Sequence, residues 1–276
     1  MRNTISDLEK DIMQTGLLIF LFLIVSPFSY AQKKTSVHVD VSPVLQRMES
    51  QTWRDRSNAF NSAVALLGAD NSTLEDADRL RGGIVQLLTT ENNSEDSVTS
   101  EMEGGAKSEY YSALIDFVAH LGDERAIPAL LGATKTGGMA IRGVARFGKK
   151  ALDPTLEQAI SGDPDRAEGA LFVIQKLLEW RVVSDRDSLF RIKNVLRLSL
   201  AAPSHGVRET AIYAIEYLDD REEFVQRLEN IAEHDSYKRA GSSSNNENSY
   251  VVRRQARLLL NKIANHESPI IDHVRD

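Results

Sequence analysis

Residues 121–131 read LGDERAIPALL, and this stretch carries the signals for one helix to end and another to begin. Gly122 favours the left-handed conformation that closes a helix. Asp123 is a typical N-cap residue. Pro128 falls in the first turn of the second helix, where its missing N–H costs little. The stretch therefore predicts two consecutive helices joined by a tight turn.

Helical signals continue on both sides of this turn. The preceding residues place apolar side chains on one helix face, at Tyr111, Leu114, Ile115, Val118 and Leu121. Three later stretches echo the pattern: 147–156 (FGKKALDPTL), 207–220 (VRETAIYAIEYLDD) and 252–256 (VRRQA). We expect Asp153 and Asp163, each followed by proline, to be further N-caps. The spacing of the echoes is irregular.

These stretches resemble HEAT-like repeats of the kind found in phycobilisome lyases, over residues 108–265. The resemblance implies an all-α fold, an α-solenoid of antiparallel helix pairs. No segment shows the period-two alternation of a strand, in agreement with that fold.

Four further segments complete the predicted organisation. Residues 53–90 contain two helical patterns and are interpreted as an N-terminal helical hairpin or capping repeat. Residues 91–107 are polar and acidic and predict a loop. Within the repeats, residues 240–250 are rich in Gly, Ser and Asn, which indicates a flexible insert. Residues 266–276 form a C-terminal tail.

The N-terminal region predicts export. Leu17 to Val25 is an unbroken apolar run of nine residues, whereas a membrane-spanning helix needs about 20. Ser29-Tyr30-Ala31 offers small residues where a signal peptidase cleaves. We therefore predict a signal peptide over residues 1–31, cleaved after Ala31, and a flexible lead over 32–52. The mature protein would be periplasmic or secreted, without a stable membrane anchor.

Two alternatives concern this region. The segment before the apolar run is not net positive, and translation beginning at Met13 would remove that difficulty. The apolar run could instead belong to a buried N-terminal helix.

Composition excludes several functions. The formal net charge of −7 argues against sequence-independent nucleic-acid binding, which needs a field of Lys and Arg. Cysteine is absent, so disulfides, thiol catalysis and cysteine-based zinc sites are excluded. The six His residues are scattered without metal-binding motifs. We expect neither a metal site nor a cofactor.

No catalytic residue is predicted. The sequence lacks the GxSxG, P-loop and GxGxxG motifs. Two local carboxylate pairs, Asp163 with Asp165 and Asp185 with Asp187, lie at predicted helix starts. Carboxylates are favoured there by the helix dipole, so capping explains them better than acid–base catalysis does.

The candidate binding site is a basic patch formed by Arg142, Arg146, Lys149 and Lys150. The two arginines share a helix face at i and i+4, and the lysines continue into the following turn. Arginine binds carboxylates in a two-pronged geometry, so the patch suits a protein partner with an acidic surface. A solvated face, or pairing with the acidic 91–103 segment of the same chain, are the alternatives.

These observations favour a non-catalytic protein–protein interaction scaffold of the periplasm or extracellular space. The alternative is an enzyme or enzyme accessory subunit related to the HEAT-repeat bilin lyases, as the resemblance implies. A third class, the HEAT-like DNA-repair enzymes, is disfavoured by the acidic charge and the export signal.

Overall fold

The predicted all-helical fold is confirmed. The computed structural model describes residues 39–69, 73–94, 101–239 and 249–269, and within these ranges it contains twelve α-helices and no strand. The described residues belong to one compact unit within residues 37–276. The helices are α1 (Ser42–Met48), α2 (Trp53–Gly68), α3 (Leu74–Asn92), α4 (Glu101–His120), α5 (Ile127–Gly132), α6 (Gly138–Ala145), α7 (Leu152–Ala159), α8 (Pro164–Glu179), α9 (Arg186–Ser199), α10 (His205–Ile215), α11 (Val225–His234) and α12 (Val251–Ala264).

From α3 onward the helices form two layers of an α-solenoid. Helices α4, α6, α8, α10 and α12 form layer A, in which each helix packs against the next. Helices α3, α5, α7, α9 and α11 form layer B, and each packs against the layer-A helix that follows it in the chain. Because the chain alternates between the layers, its connections lie along two opposite edges. The connections from layer A to layer B form what we name the turn edge, and those from layer B to layer A form the loop edge.

The turn at residues 121–131 has the conformation that its residues predict. Gly122 has a φ of +64°, and the Asp123 carboxylate accepts a hydrogen bond from the Arg125 N–H at 3.0 Å. A short 3₁₀ turn at Glu124–Ala126 then leads into α5, with Pro128 in its first turn. The end of α6 repeats this geometry, because Gly148 also has a positive φ of +58°.

The caps of two other helices test the sequence interpretation further. Asp163 caps α8, since its side chain accepts from the N–H groups of Asp165 and Arg166. The prediction that Asp153 is an N-cap is wrong. A 3₁₀ turn at Gly148–Ala151 brings the chain into α7 two residues early, so Asp153 lies inside the first helical turn.

The N-terminal helices continue the stack. Helix α3 packs against α4 and α5, and α1 packs across α2 and α3. The predicted lead over 32–52 therefore contains a helix at its C-terminal end. The predicted loop over 91–107 is also shorter in the structure, because α3 extends to Asn92 and α4 begins at Glu101.

A buried ion pair secures this N-terminal part. The Arg56 Nε donates to the Glu91 carboxylate at 2.6 Å, and the Tyr110 hydroxyl donates to the same oxygen at 3.0 Å. Arg56 also donates to the backbone carbonyls of Ser50 and Gln51. A charge buried with this many partners fixes the position of α2 relative to α3 and α4.

Two close contacts of the layer-A helices depend on glycine. A Cβ added at Gly143 in α6 would stand 2.7 Å from the Ala119 Cβ of α4. A Cβ at Gly169 in α8 would stand 2.1 Å from the Thr134 Oγ1. A larger side chain at Gly143 would force α6 away from α4, and one at Gly169 would force α8 away from the 3₁₀ turn at Thr134–Thr136, because packed interiors accommodate little added volume.

Some predicted segments lie outside the described residues. These are the signal peptide over 1–31, the lead as far as residue 38, most of the 240–250 insert and the end of the 266–276 tail. Among the residues that the structure does describe, no helix has the length and apolar character needed to span a membrane.

Candidate interaction surface

Ion pairs between successive turns bind the turn edge together. The Lys150 ammonium lies 2.5 Å from the Glu124 carboxylate of the preceding turn, and Lys149 lies 3.1 Å from Asp185 of the following one. Further along, Arg181 contacts Asp219 at 2.7 Å. On the same side of the stack, Lys193 of α9 pairs with Asp220 and Glu223. The charges of this edge are thus largely matched within the chain.

Two members of the predicted basic patch belong to this network. Lys149 and Lys150 form the ion pairs just described, whereas Arg142 is exposed on α6 without an ion-pair partner among the described residues. Arg146 follows the end of α6 and lies with His120, Glu124 and Lys150 around a shallow depression of about 410 Å³. The intramolecular pairs reduce the positive charge that a partner would meet. Binding at the patch stays a prediction.

Hydrogen bonds orient His120 beside the patch. Its Nδ1 lies 2.7 Å from the Asp116 carbonyl oxygen, so Nδ1 carries the proton and donates to it. The other ring nitrogen, Nε2, then accepts from the Arg146 guanidinium at 3.1 Å. Both ring nitrogens are engaged in positioning contacts, which gives His120 a structural role.

The ionised carboxylate of Asp185, on the turn edge, is stabilised by several partners. Its pKa is lowered to about 2, chiefly because the Ser188 N–H and hydroxyl donate to the carboxylate and secondly because Lys149 lies beside it. Asp185 is also the N-cap of α9, as its position in the sequence predicts. Capping and inter-turn pairing therefore share one carboxylate.

The loop edge presents an apolar surface instead. A cavity of about 390 Å³, which we name the apolar cavity, opens where the end of α7, the start of α8, the end of α9 and the start of α10 meet. Ile160 and Leu198 flank it with exposed fractions of 57% and 62%. Large aliphatic side chains so exposed indicate a contact surface when they lie together beside a cavity.

Small residues create this cavity. Three small side chains line the cavity, and none of them is long enough to fill the space between the helix ends. They are Ala159, Ala167 and Ser199. Pro164 and Pro203 stiffen the two connections that border it. The cavity is therefore a consequence of residue size and backbone constraint on elements that are themselves well packed.

Two polar groups at the cavity lack protein partners. The Ser199 side chain is buried, and its hydroxyl makes no hydrogen bond within the described part of the chain. Ser204, the N-cap of α10, makes no side-chain capping bond. The first N–H groups of α10 thus receive no acceptor from their cap.

A second cavity adjoins the first and is polar. This polar depression, of about 330 Å³, runs from the end of α3 past α5 to the end of α7 and the start of α8. Asp163 lines both cavities and marks their junction. The remaining polar lining residues include Thr89, Asn92, Asn93, Lys135, Gln158, Asp165 and Arg166.

Carboxylates accumulate beside the junction. Asp165, Glu168 and Glu209, which we name the carboxylate cluster, make no ion pair with any other described residue. Burial raises the pKa of Glu168, and the negative charges of Asp165 and Glu209 raise it further. The Tyr213 hydroxyl donates to Glu209 at 2.8 Å. The neighbouring Arg208 is already paired with Asp235, at 2.6 Å, and does not neutralise the cluster.

The sequence patterns did not point to this surface. Leu198 does not stand out in the sequence, because its neighbours Leu196 and Leu200 follow the buried helical stripe, and both are buried. Its position two residues from each places it on the opposite face, so an off-stripe leucine was the available signal. Ile160 lies one residue beyond α7, where no periodicity applies.

The described residues contain no group of three or more side chains arranged to hold a metal ion. The residues of Asp163–Asp165 and Asp185–Asp187 lie at helix starts, and their first members act as caps. Geometry and chemistry thus define a helical-repeat solenoid with an open, partly apolar edge.

Comparisons with known proteins give only distant similarities, to solved structures of designed repeat proteins. No protein-family model and no curated protein matches the chain. Among solved structures, a designed armadillo repeat protein in complex with the peptide (KR)4 is 13% identical, with a TM-score of 0.36, covering 80% of this chain and 100% of that one. A computationally designed armadillo repeat protein for modular peptide recognition is 14% identical, with a TM-score of 0.37, covering 80% and 99%. Similarity this low carries no information about function.

Proposed function

We propose that this protein is a non-catalytic scaffold that binds another protein through its loop edge. The observation that carries the proposal is the apolar cavity with Ile160 and Leu198 exposed beside it. On the turn edge, the chain satisfies its own charges. On the loop edge, it leaves aliphatic side chains exposed to solvent and the buried Ser199 hydroxyl without a hydrogen-bond partner in the described part of the chain.

The shape of the loop edge suits an extended peptide segment. The apolar cavity and the polar depression meet at Asp163, so one segment can place an apolar side chain in the first and polar groups over the second. Full burial of an aliphatic side chain contributes about 1.5–3 kcal/mol. Covering both Ile160 and Leu198 therefore contributes at most about 3–6 kcal/mol, and a micromolar Kd, which corresponds to about 8 kcal/mol, needs further contacts along the polar depression.

We further infer that the scaffold acts outside the cytoplasm and that its repeats are of the HEAT type. Export is supported by the apolar run at residues 17–25 and by Ser29-Tyr30-Ala31. We expect mass spectrometry of the protein from its native compartment to give Gln32 as the mature N-terminus. Recovery of residues 1–31 on the protein in a membrane fraction would contradict this. The repeat type is supported by the turn at residues 121–131.

A peptide selection tests the binding proposal. The purified chain is immobilised and used to select from a phage-displayed library of random dodecapeptides. The most enriched peptides are then synthesised with a fluorescent label, and their Kd values are measured by anisotropy. We expect the enriched sequences to share an aliphatic residue, and Ile160→Asp combined with Leu198→Asp to weaken binding at least tenfold.

Two control variants locate the site. Arg191→Ala, which removes an exposed ion pair with Asp153, is expected to leave the Kd within twofold of the unmodified chain. Arg142→Glu with Arg146→Glu tests the basic patch. Loss of binding in that patch variant, with full binding in the Ile160/Leu198 variant, would place the site on the basic patch and overturn the loop-edge proposal. Failure to enrich any peptide would also count against it.

A further inference from the structure

The charge around the apolar cavity defines the partner more closely. This step rests on the proposed function, since it concerns the occupant of the same surface. Four carboxylates lie at the junction of the two cavities or around the neighbouring start of α10. Two guanidinium groups lie there as well, those of Arg166 and of Arg208, which donates to the carbonyls of Ala202 and Pro203 on the cavity lining and is paired with Asp235. Arg166 itself lies 3.5 Å from the Asp163 carboxylate. The carboxylates are Asp163, Asp165, Glu168 and Glu209.

The protein does not neutralise this charge internally. The carboxylate cluster forms no ion pair within the described part of the chain. Its members lie close enough together for the charges of Asp165 and Glu209 to raise the pKa of Glu168. His205 acts electrostatically on Glu168, and its ring is stacked on Tyr237 at a centroid distance of 3.5 Å. Arg254 acts on the Tyr213 hydroxyl, which donates to Glu209, but forms no ion pair with Glu209. Lys135 lies on the polar depression, which extends away towards α3 and α5.

Glu168 is held where a ligand cation would have the greatest effect. It follows Ala167, which lines the apolar cavity, and its carboxylate lies over Gly206 at the start of α10. Its partial burial reduces solvent screening, so an approaching cation interacts with it more strongly than with a fully exposed carboxylate. The turn edge offers a contrast, because carboxylates such as Asp219 and Asp220 already have cationic partners.

We infer that the loop edge binds a peptide segment in which an aliphatic residue lies beside a lysine or arginine. The aliphatic side chain enters the apolar cavity between Ile160 and Leu198, and the cation pairs with the carboxylate cluster. Backbone and polar groups of the segment continue along the polar depression. Charge complementarity selects this occupant over an acidic segment, which would meet uncompensated carboxylates.

The selected peptides provide the test. We expect Lys or Arg to be enriched over Asp and Glu within two positions of the shared aliphatic residue. In the labelled peptide, replacing that cation with Ala is expected to weaken binding about threefold to tenfold, and replacing it with Glu to weaken it further. The double variant Glu168→Gln, Glu209→Gln is expected to reduce the difference between the Lys and Ala peptides to less than about twofold.

A matched variant controls for total charge. Glu229→Gln with Glu233→Gln removes two exposed carboxylates from α11, away from the cavity, and is expected to preserve the preference for the cation. Enriched peptides that carry no cation, or that keep the same preference in the Glu168/Glu209 variant, would overturn this inference. If the Ile160/Leu198 variant still lost binding in that case, the proposed function would stand. Unchanged binding in the Ile160/Leu198 variant would instead reject the proposed function.

Discussion

The two edges of this solenoid are built from the same helices, but they differ in how far their side chains are paired within the chain. Along the turn edge, ion pairs such as Lys150–Glu124 and Arg181–Asp219 join one turn to the next. Along the loop edge, between α7 and α10, aliphatic side chains and carboxylates face solvent without such partners. Charges paired within the chain stabilise the stack, whereas unpaired groups remain available to another molecule. The turn edge is not wholly polar, since Val182 in the turn after α8 is 42% exposed, but it has no apolar cavity like that of the loop edge among the described residues. This difference is the basis for proposing that the loop edge serves recognition.

The largest contrast is expected between two leucines on one helix. Leu196 is fully buried, and Leu196→Ala should lower the free energy of unfolding by about 3 kcal/mol because it removes packed methyl groups and leaves a cavity. Leu198→Ala should change it by less than about 0.5 kcal/mol, since Leu198 is 62% exposed. Urea unfolding followed by circular dichroism measures both. An equal loss in the two variants would show that Leu198 serves the fold.

A smaller effect is expected from a turn-edge ion pair. Lys193 has a side-chain exposure of only 12% and contacts both Asp220 and Glu223, so Lys193→Ala should cost about 1–2 kcal/mol. Its loop-edge counterpart is Arg166, whose side chain is 57% exposed beside Asp163. Arg166→Ala should cost less than about 0.5 kcal/mol in the same unfolding assay. If Arg166→Ala were less stable than Lys193→Ala, the proposal that turn-edge ion pairs stabilise the fold more than loop-edge ones would be wrong.

The turn after α8 offers a third comparison. Arg181 has a φ of +55°, where Gly122 and Gly148 stand in the turns after α4 and α6. A residue with a Cβ pays about 1–2 kcal/mol in this conformation, so Arg181→Gly should be more stable than Arg181→Ala by about 1 kcal/mol. Both variants lose the pair with Asp219, which makes them matched. Equal melting temperatures would show that the backbone of this turn relaxes.

The smallest effect concerns acid pH. Because the folded state lowers the pKa of Asp185 to about 2 from its ordinary value of 3.8, the stability contributed by the ionised carboxylate is fully present above pH 3.8. The contribution is lost as the pH falls from about 4 towards 2. NMR titration should show Asp185 ionised at pH 3, with a modest rise of its pKa in Lys149→Ala. A pKa of 4 in the unmodified chain would contradict the observed capping and pairing.

Much of the fold could be predicted from local sequence. Gly122, Asp123 and Pro128 act through backbone conformation and nearby N–H groups, and such effects depend on only a few neighbouring residues. The same reasoning failed at Asp153, where a 3₁₀ turn shifted the helix start. It also missed Arg181, because a left-handed residue other than glycine leaves no signal in composition.

The candidate surface was less accessible to sequence reasoning. The basic patch was recognised because its four cations lie close together in the sequence, but Lys149 and Lys150 find partners in neighbouring turns. Ile160 and Leu198 are 38 positions apart and become neighbours only when α7 and α9 are stacked. Glu168 and Glu209 likewise meet across two layer-A helices.

The sequence by itself determined the helical class, the turn at residues 121–131 and the caps of α8 and α9, because each depends on residues adjacent in the chain. Only the tertiary structure decided which charges are paired, which leucine is exposed and where a cavity opens. These properties depend on distances between residues of different repeats, and an irregular repeat spacing does not reveal those distances. The turn at residues 121–131 therefore predicts the architecture, and the contacts between repeats decide which side chains stay exposed or unpaired on each edge.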